Sequence, residues 1–164
     1  SKFFVARIWA PFQAYLRNNP NTPAYNTEKK TLHNEIMYEW SSRQQHTLLI
    51  TGHTHQPVFT SLTLIERLYK NLQSAKVDNN VALVAELEKD IRKREKEFSA
   101  ISIDYLTMKP GYFNSGCCCF VDGDITGIEI ADATIRLIKW TTKDESPKRE
   151  ILEEIKMEEL AKKL

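Results

Sequence analysis

Glycine is scarce in this sequence, and long apolar runs are missing from it. Glycine accounts for 5 of the 164 residues, against an average of about 7%. The five glycines are Gly52, Gly111, Gly116, Gly123 and Gly127. The backbone conformations that only glycine adopts easily are therefore confined to two short regions, and a functional site is sought there first. No run of ~18 apolar residues occurs, so no transmembrane segment is expected.

The sequence also lacks a charge excess and a set of spaced cysteines. Lysine plus arginine number 23 and aspartate plus glutamate 22, for a net charge of +1, so there is no strong nucleic-acid signal. The three cysteines are adjacent, at Cys117, Cys118 and Cys119, and adjacent cysteines do not make a disulfide framework. We interpret them as small, reduced core residues on a strand, with a redox or metal role left open. A reducing compartment, the cytoplasm, is the expected location.

Apolar spacing in the first two thirds of the chain predicts helices around one short strand. Thr27 is a candidate N-cap for a helix, and residues 47–51 have the apolar, β-branched character of a buried strand that Gly52 ends. Two amphipathic segments then predict a helical hairpin over residues 61–99. Its charged face is expected to be solvated, with oligomerisation through the hairpin as the alternative.

The last third of the chain changes period. After residue 110 the alternation predicts short successive strands at residues 112–114, 117–122, 125–131 and 134–140, which would form a β-meander. The tail, residues 144–164, is predicted to be an amphipathic helix, because Ile151, Leu152, Ile155 and Leu160 follow helical spacing. The fold class expected from these patterns is α/β, or α+β.

The motif most typical of a functional site is Gly-His-Thr-His-Gln-Pro at residues 52–57. His53 and His55, one residue apart just past a strand, can direct their imidazoles to one region, and imidazole binds Zn, Mn, Fe or Ni. Gly52 permits a tight turn, and Pro57 fixes the direction in which the chain leaves it. Two such histidines alone are weak evidence for a metal site.

A strand running into Gly-His-Thr-His-x-Pro, followed later by an aromatic-Asn-x-Gly turn and a terminal meander, resembles the calcineurin-like metallophosphoesterases. The matching stretches are residues 48–57 and 112–140. The resemblance implies a four-layered α/β/β/α sandwich, with residues 61–99 as an inserted hairpin. It also implies hydrolysis of a phosphomonoester or phosphodiester by two divalent metal ions (Mn, Fe, Zn or Ni). His53 would bind one metal and His55 the other, with Gly52 and Asn114 supporting the site.

The resemblance is to the C-terminal part of that family only. Its earlier signatures, Asp-x-His, Gly-Asp-x-x-Asp and Gly-Asn-His-Glu, do not occur before Gly52. His33 and His46 are the only upstream histidines, and neither has the matching context, so both are interpreted as structural or exposed. Residues 1–164 are therefore expected to form one partial metallophosphoesterase domain, with no catalytic residue separable from the metal ligands. The isolated chain is expected to be inactive, because two imidazoles cannot hold two dications.

A non-catalytic module is the alternative function. In it, one zinc ion would be bound by His53, His55 and two of the cysteines, since two nitrogens and two sulfurs make an ordinary tetrahedral set. Cys117 and Cys119 would share one face of an extended strand. The helical hairpin would then be the interaction surface. The sequence alone does not indicate the substrate or the oligomeric state.

Overall fold

The computed structural model describes residues 7, 11–12, 27–52, 54–94, 105–117, 124–142 and 146–164, with the backbone only at residues 27–29. These residues form a mixed α/β structure with two sheets. The elements, in chain order, are α1 (Thr27–Ser42), β1 (Leu49–Thr51), β2 (Val58–Phe59), β3 (Leu62–Thr63), α2 (Leu64–Val77), α3 (Val81–Arg94), β4 (Tyr112–Asn114), β5 (Ile125–Ala131), β6 (Thr134–Thr141), β7 (Lys148–Lys156) and α4 (Met157–Ala161). The predicted first helix, a strand ending at Gly52 and two hairpin helices are present. The strand is not buried as predicted, because Ile50 is 43% exposed and its neighbours are only partly buried. The predicted hairpin begins too early for its first helix, since Leu62–Thr63 form β3, and residues 95–100 lie outside the described part.

The first sheet has the strand order β1-β4-β2-β3 and contains a parallel pair. Strand β4 runs parallel to β1 and antiparallel to β2. The prediction that residues 112–114 begin a meander is therefore wrong. The physical reason is burial, because all three residues of β4 are inaccessible to solvent, as is typical of a strand that is covered on both faces. Its parallel partner, β1, lies some sixty residues earlier in the chain. The sequence analysis also missed the short β2–β3 hairpin, whose loop residues Thr60 and Ser61 both have positive φ.

The second sheet is an antiparallel meander, β5-β6-β7. Strands β5 and β6 lie where the sequence predicted them, and they are joined by the two-residue turn Asp132-Ala133, in which both residues have positive φ. This is the backbone that a tight hairpin needs. Of the strand predicted at 117–122, Cys117 lies outside any strand, and the remainder lies outside the described residues.

The predicted helix over residues 144–164 is wrong for most of its length. Residues Lys148–Lys156 form β7, which pairs with β6, and helix occurs only at Met157–Ala161. Ile151 lies opposite Ile138 and Glu153 opposite Leu137, so Leu152 is an extra residue in a β-bulge. The bulge shifts the two-residue alternation, and the apolar residues around it then imitate helical spacing.

The two sheets share one apolar core. Phe59 of β2 and Phe113 of β4 pack edge to face, with ring centroids 5.2 Å apart. They join Ile135 and Leu137 of β6 and Leu160 of α4 in one buried cluster. Leu160 is fully buried, so the short terminal helix closes this core. The core fixes β4, and hence the end of β4, against the second sheet.

The helical hairpin has a separate apolar core between α2 and α3. Its buried members are Ile65, Leu72, Ala75, Leu87 and Ile91. The hairpin is joined to the second sheet by Arg67 of α2, whose Nε donates to Glu153 Oε1 of β7 at 3.0 Å. Burial lowers the pKa of Arg67, and the neighbouring Glu153 carboxylate opposes that effect. Within the described segments, no helix is both long and apolar enough to cross a membrane.

Candidate metal centre

The histidine motif follows β1 at the edge where two parallel strands end together. Thr51, the last residue of β1, is in register with Asn114, the last residue of β4. The Ser115 N–H continues the pairing beyond the strand by donating to the Thr51 carbonyl at 3.0 Å. The loops that begin at Gly52 and Ser115 therefore leave the sheet side by side. Ligand sites of open α/β sheets form at such strand ends.

Asn114 ties these two loops together. Its side chain is fully buried. Its Nδ2 lies 3.0 Å from Thr54 Oγ1 and 3.4 Å from the Gly52 carbonyl oxygen, so it donates toward the histidine loop. Its Oδ1 accepts the Gly116 N–H at 3.0 Å. One amide side chain thus satisfies buried polar groups of both loops, which matters because such groups are costly to leave unpaired.

Tyr112 connects the same point to helix α1. Its hydroxyl donates to Asn34 Oδ1 at 2.9 Å, so it accepts from Thr51 Oγ1 at 3.1 Å and Asn114 Nδ2 at 3.3 Å. Asn34 in turn donates to Gln56 Oε1 of the motif at 2.9 Å. Burial raises the pKa of Tyr112, against the opposing effect of its hydrogen bonds to Thr51 and Asn114. The network holds the histidine loop from the helix side.

His55 has two unusual features. Its backbone φ is +59°, a left-handed conformation that residues with a Cβ adopt only at a free-energy cost. Its ring Nδ1 lies 3.0 Å from Cys117 Sγ, a contact between residues 62 positions apart. Cys117 is buried, with 1% of its surface exposed. A strained backbone that is held by surrounding contacts is typical of functional sites.

Gly116 sits at the closest approach of three segments. Its φ is +83°, and a Cβ there would overlap Thr126 Oγ1 of β5 and lie 2.6 Å from Cγ of Pro57. The residue must therefore be glycine for steric as well as conformational reasons. Gly52 is less tightly enclosed: the nearest atom to a Cβ there is Ser115 Oγ, at 3.3 Å.

The structure brings together some of the predicted site residues and leaves others apart or undescribed. Gly52, His55 and Asn114 are adjacent; His53, Cys118 and Cys119 lie outside the described residues. His33 is on α1, and its buried Nε2 has no hydrogen-bond partner in the part of the chain that the structure describes. His46 is exposed, with a φ of +51°.

The described residues supply only part of a metal site. Among them, no group of three or more His, Cys, Asp or Glu side chains is placed to hold a metal ion. His55 fits as one ligand of such a site, because its ring lies in a loop fixed on two sides. The described part of the chain therefore does not form a complete centre, and no hydrolytic step is derived from it.

Sequence reasoning missed a cavity beside the motif. It has a volume of about 210 Å³ and lies between α1 and the β2–β3 hairpin. The residues that reach it include Asn34, Tyr38, Gln56, Ser61 and Glu66. Among the described residues, those that line it include carboxylates and no lysine, arginine or histidine, so this lining does not suit a phosphate group. Of the residues that line this cavity, only Gln56, next to His55, belongs to the histidine motif.

Comparisons of the chain with protein-family models, with curated proteins and with solved structures found no match.

Proposed function

We propose that this chain contributes the closing histidines of a dinuclear metallophosphoesterase, an enzyme that hydrolyses a phosphomonoester or phosphodiester. The observation that carries the proposal is the placement of the histidine motif. It follows one of two parallel strands that end together, and Asn114 holds its loop to the loop after the other strand. A metal ligand needs such fixed placement, because coordination geometry tolerates little displacement.

The chain's own residues would bind and orient. His53 and His55 would each bind one of two divalent ions, while Gly52 and Asn114 hold the loop that carries them. When bound, two such ions would supply charge stabilisation for the phosphoryl oxygens and a water nucleophile at neutral pH. The carboxylate ligands that two dications require would come from a segment carrying Asp-x-His and Gly-Asn-His-Glu. The two sheets packed through Phe59, Phe113 and Ile135 support a place for this chain in an α/β/β/α sandwich.

A zinc-stabilised binding module is the second candidate, and one contact favours it. Cys117 Sγ and His55 Nδ1, 3.0 Å apart, bring together one sulfur and one nitrogen donor, two of the donor types that a tetrahedral zinc site uses. In that case the outer surface of the α2–α3 hairpin would bind the partner, or a second copy of the chain. Its exposed Val77 and Val81 lie at the tip. Either candidate fits a reducing compartment such as the cytoplasm, because the three cysteines are adjacent in the sequence and have no spaced partners for a disulfide framework.

Activity measurements test the phosphoesterase proposal. The isolated chain is expected to give no turnover of bis-p-nitrophenyl phosphate in Mn²⁺, and robust turnover would contradict its incompleteness. The coding sequence upstream of the codon for Ser1 is expected to encode Asp-x-His and Gly-Asn-His-Glu. The product of that longer frame should hydrolyse the substrate with Mn²⁺ and lose turnover in His55→Ala, with exposed His46→Ala as the matched control. An inactive longer product would contradict the proposal.

A further inference from the structure

We propose that Cys117 is a positioning residue for His55: its sulfur accepts the Nδ1–H of the imidazole and thereby places the metal-binding lone pair on Nε2. The proposal rests on the proposed function, in which His55 is a metal ligand. Its starting point is the 3.0 Å separation of Cys117 Sγ and His55 Nδ1. Histidines that bind metals nearly always donate their second ring N–H to a neighbouring acceptor, which fixes both tautomer and ring orientation.

Cys117 is suited to this role because its own position is fixed. It is buried, with 1% of its surface exposed. Its N–H donates to Thr126 Oγ1 at 2.9 Å, and its carbonyl accepts the Thr126 N–H at 2.8 Å. Cys117 is thus hydrogen-bonded to Thr126 of β5 through both its N–H and its carbonyl group. The sulfur therefore cannot follow the imidazole if the ring turns away.

The histidine side of the contact is fixed as well. Thr54, which precedes His55, is buried and bonded to Asn114, while Pro57 packs against Gly116. His55 itself keeps a φ of +59° between these two anchors. The strained backbone directs the ring toward Cys117, so the strain and the sulfur contact belong to one arrangement. Without the sulfur, the ring would lose the acceptor that lies 3.0 Å from its Nδ1.

The opposite hydrogen-bond direction is the competing arrangement. If the thiol donated to Nδ1, the ring proton would be on Nε2, and the lone pair would point at sulfur rather than at a metal. The sulfur would then block the nitrogen it faces. The two arrangements differ in which ring nitrogen of His55 carries the proton, and this can be measured without any metal.

The tautomer can be measured by ¹⁵N nuclear magnetic resonance on the metal-free 164-residue chain at about pH 8, where a histidine of ordinary pKa is neutral. We expect His55 to be the Nδ1–H tautomer in the wild type. Cys117→Ala should shift it toward the Nε2–H tautomer, whereas Cys117→Ser, which keeps an acceptor, should retain Nδ1–H. Exposed His46 is the internal control and should not change between variants. A wild-type Nε2–H tautomer, or one unchanged in Cys117→Ala, would overturn the proposal.

Metal affinity supplies the second readout. Loss of an orienting partner typically weakens metal binding by about 10–100-fold. We expect that loss in Cys117→Ala for Mn²⁺ and recovery to within a few-fold in Cys117→Ser. A thiolate-to-cobalt charge-transfer band with Co²⁺ that disappears in Cys117→Ser would make the sulfur a ligand and overturn the positioning role. If the tautomer is as expected but the longer product is inactive with Mn²⁺, the phosphoesterase proposal fails while the positioning geometry stands.

Discussion

Replacing Gly116 with alanine tests the packing that holds the candidate site together. The new Cβ would overlap Thr126 Oγ1 and lie 2.6 Å from Pro57 Cγ, at a φ of +83°. The left-handed backbone costs an L-residue about 1–2 kcal/mol. Forcing a methyl group into packed surroundings costs about 1–3 kcal/mol more. We therefore expect the free energy of unfolding to fall by about 2–5 kcal/mol, a large share of the ~5–15 kcal/mol typical of a domain.

Urea unfolding, followed by circular dichroism, measures this loss directly. The midpoint of thermal unfolding should fall by about 4–20 °C, since 1 kcal/mol corresponds to about 2–4 °C in a chain of this size. Gly127→Ala is the matched control, because it lies in β5 and the nearest atom to a Cβ there is Ile138 Cγ1, at 4.0 Å. That change should be neutral or stabilise the chain by up to about 1 kcal/mol.

The comparison of the two alanine variants also decides whether the reasoning holds. Equal unfolding free energies for Gly116→Ala and Gly127→Ala would mean that the loop after β4 is not enclosed by Thr126 and Pro57. The two anchors assigned to the His55 loop would then be wrong. The proposed positioning of His55 would lose its structural basis at the same time.

Three further predictions concern the elements around the site. Tyr112→Phe should lower the unfolding free energy by about 1 kcal/mol at neutral pH, because it removes the hydroxyl's hydrogen bonds. Burial raises the pKa of Tyr112. The stabilisation by its hydroxyl is therefore complete below about pH 10 and is lost as the pH rises through the folded-state pKa. Urea unfolding should show the difference in unfolding free energy between the wild type and Tyr112→Phe narrowing over that range. In the same assay, Glu153→Ala should lower the unfolding free energy by about 1–3 kcal/mol, because buried Arg67 keeps its charge and loses this carboxylate partner. The Glu153 side chain is one third exposed. His55→Gly should be more stable than His55→Ala by about 1 kcal/mol in thermal unfolding, because glycine adopts a φ of +59° without strain.

Each of these three has its own control and contrary result. A constant difference between wild type and Tyr112→Phe from about pH 8 to about pH 11 would show that the hydroxyl titrates as in the unfolded chain. Glu150→Ala, at an exposed position of the same strand, should change stability by less than about 0.5 kcal/mol. If Glu153→Ala lowers the unfolding free energy no more than Glu150→Ala does, the contact between Arg67 and Glu153 does not stabilise the fold. Greater stability of His55→Ala than of His55→Gly would contradict the left-handed backbone at that residue.

Local patterns in the sequence predicted the local elements. The α2–α3 hairpin and strand β6 follow from apolar spacing, because each buries an apolar stripe or face. Helix α1 and strand β5 also lie where they were predicted, although Leu32, Ile36 and Trp40 of α1 and Ile125 and Ile130 of β5 are exposed. The two residues between the strands predicted at 125–131 and 134–140, Asp132 and Ala133, form the observed turn. Strand β7 was not, since the bulge at Leu152 breaks the two-residue period on which strand prediction depends.

Contacts between distant segments were beyond sequence patterns. The parallel pairing of β1 with β4 joins residues about sixty positions apart, and nothing local in Tyr112 or Phe113 specifies a parallel partner. The 3.0 Å contact of His55 with Cys117 depends on that pairing, and so does the contact of Asn114 with Thr54. The motif at residues 52–57 and the aromatic-Asn-x-Gly turn were each visible in the sequence. Their meeting at one sheet edge was not.

The most direct test of the central claim is residue-specific broadening of amide resonances when Mn²⁺ is added to the ¹⁵N-labelled 164-residue chain. Selective broadening is expected at Gly52, Thr54, His55 and at the adjoining loop of Cys117, because paramagnetic relaxation falls steeply with distance from the ion. His55→Ala should abolish it and leave the rest of the spectrum unchanged. Broadening confined to the acidic residues of α3, such as Glu86 and Glu88, with the histidine loop unaffected, would contradict the assignment of a metal centre at this sheet edge.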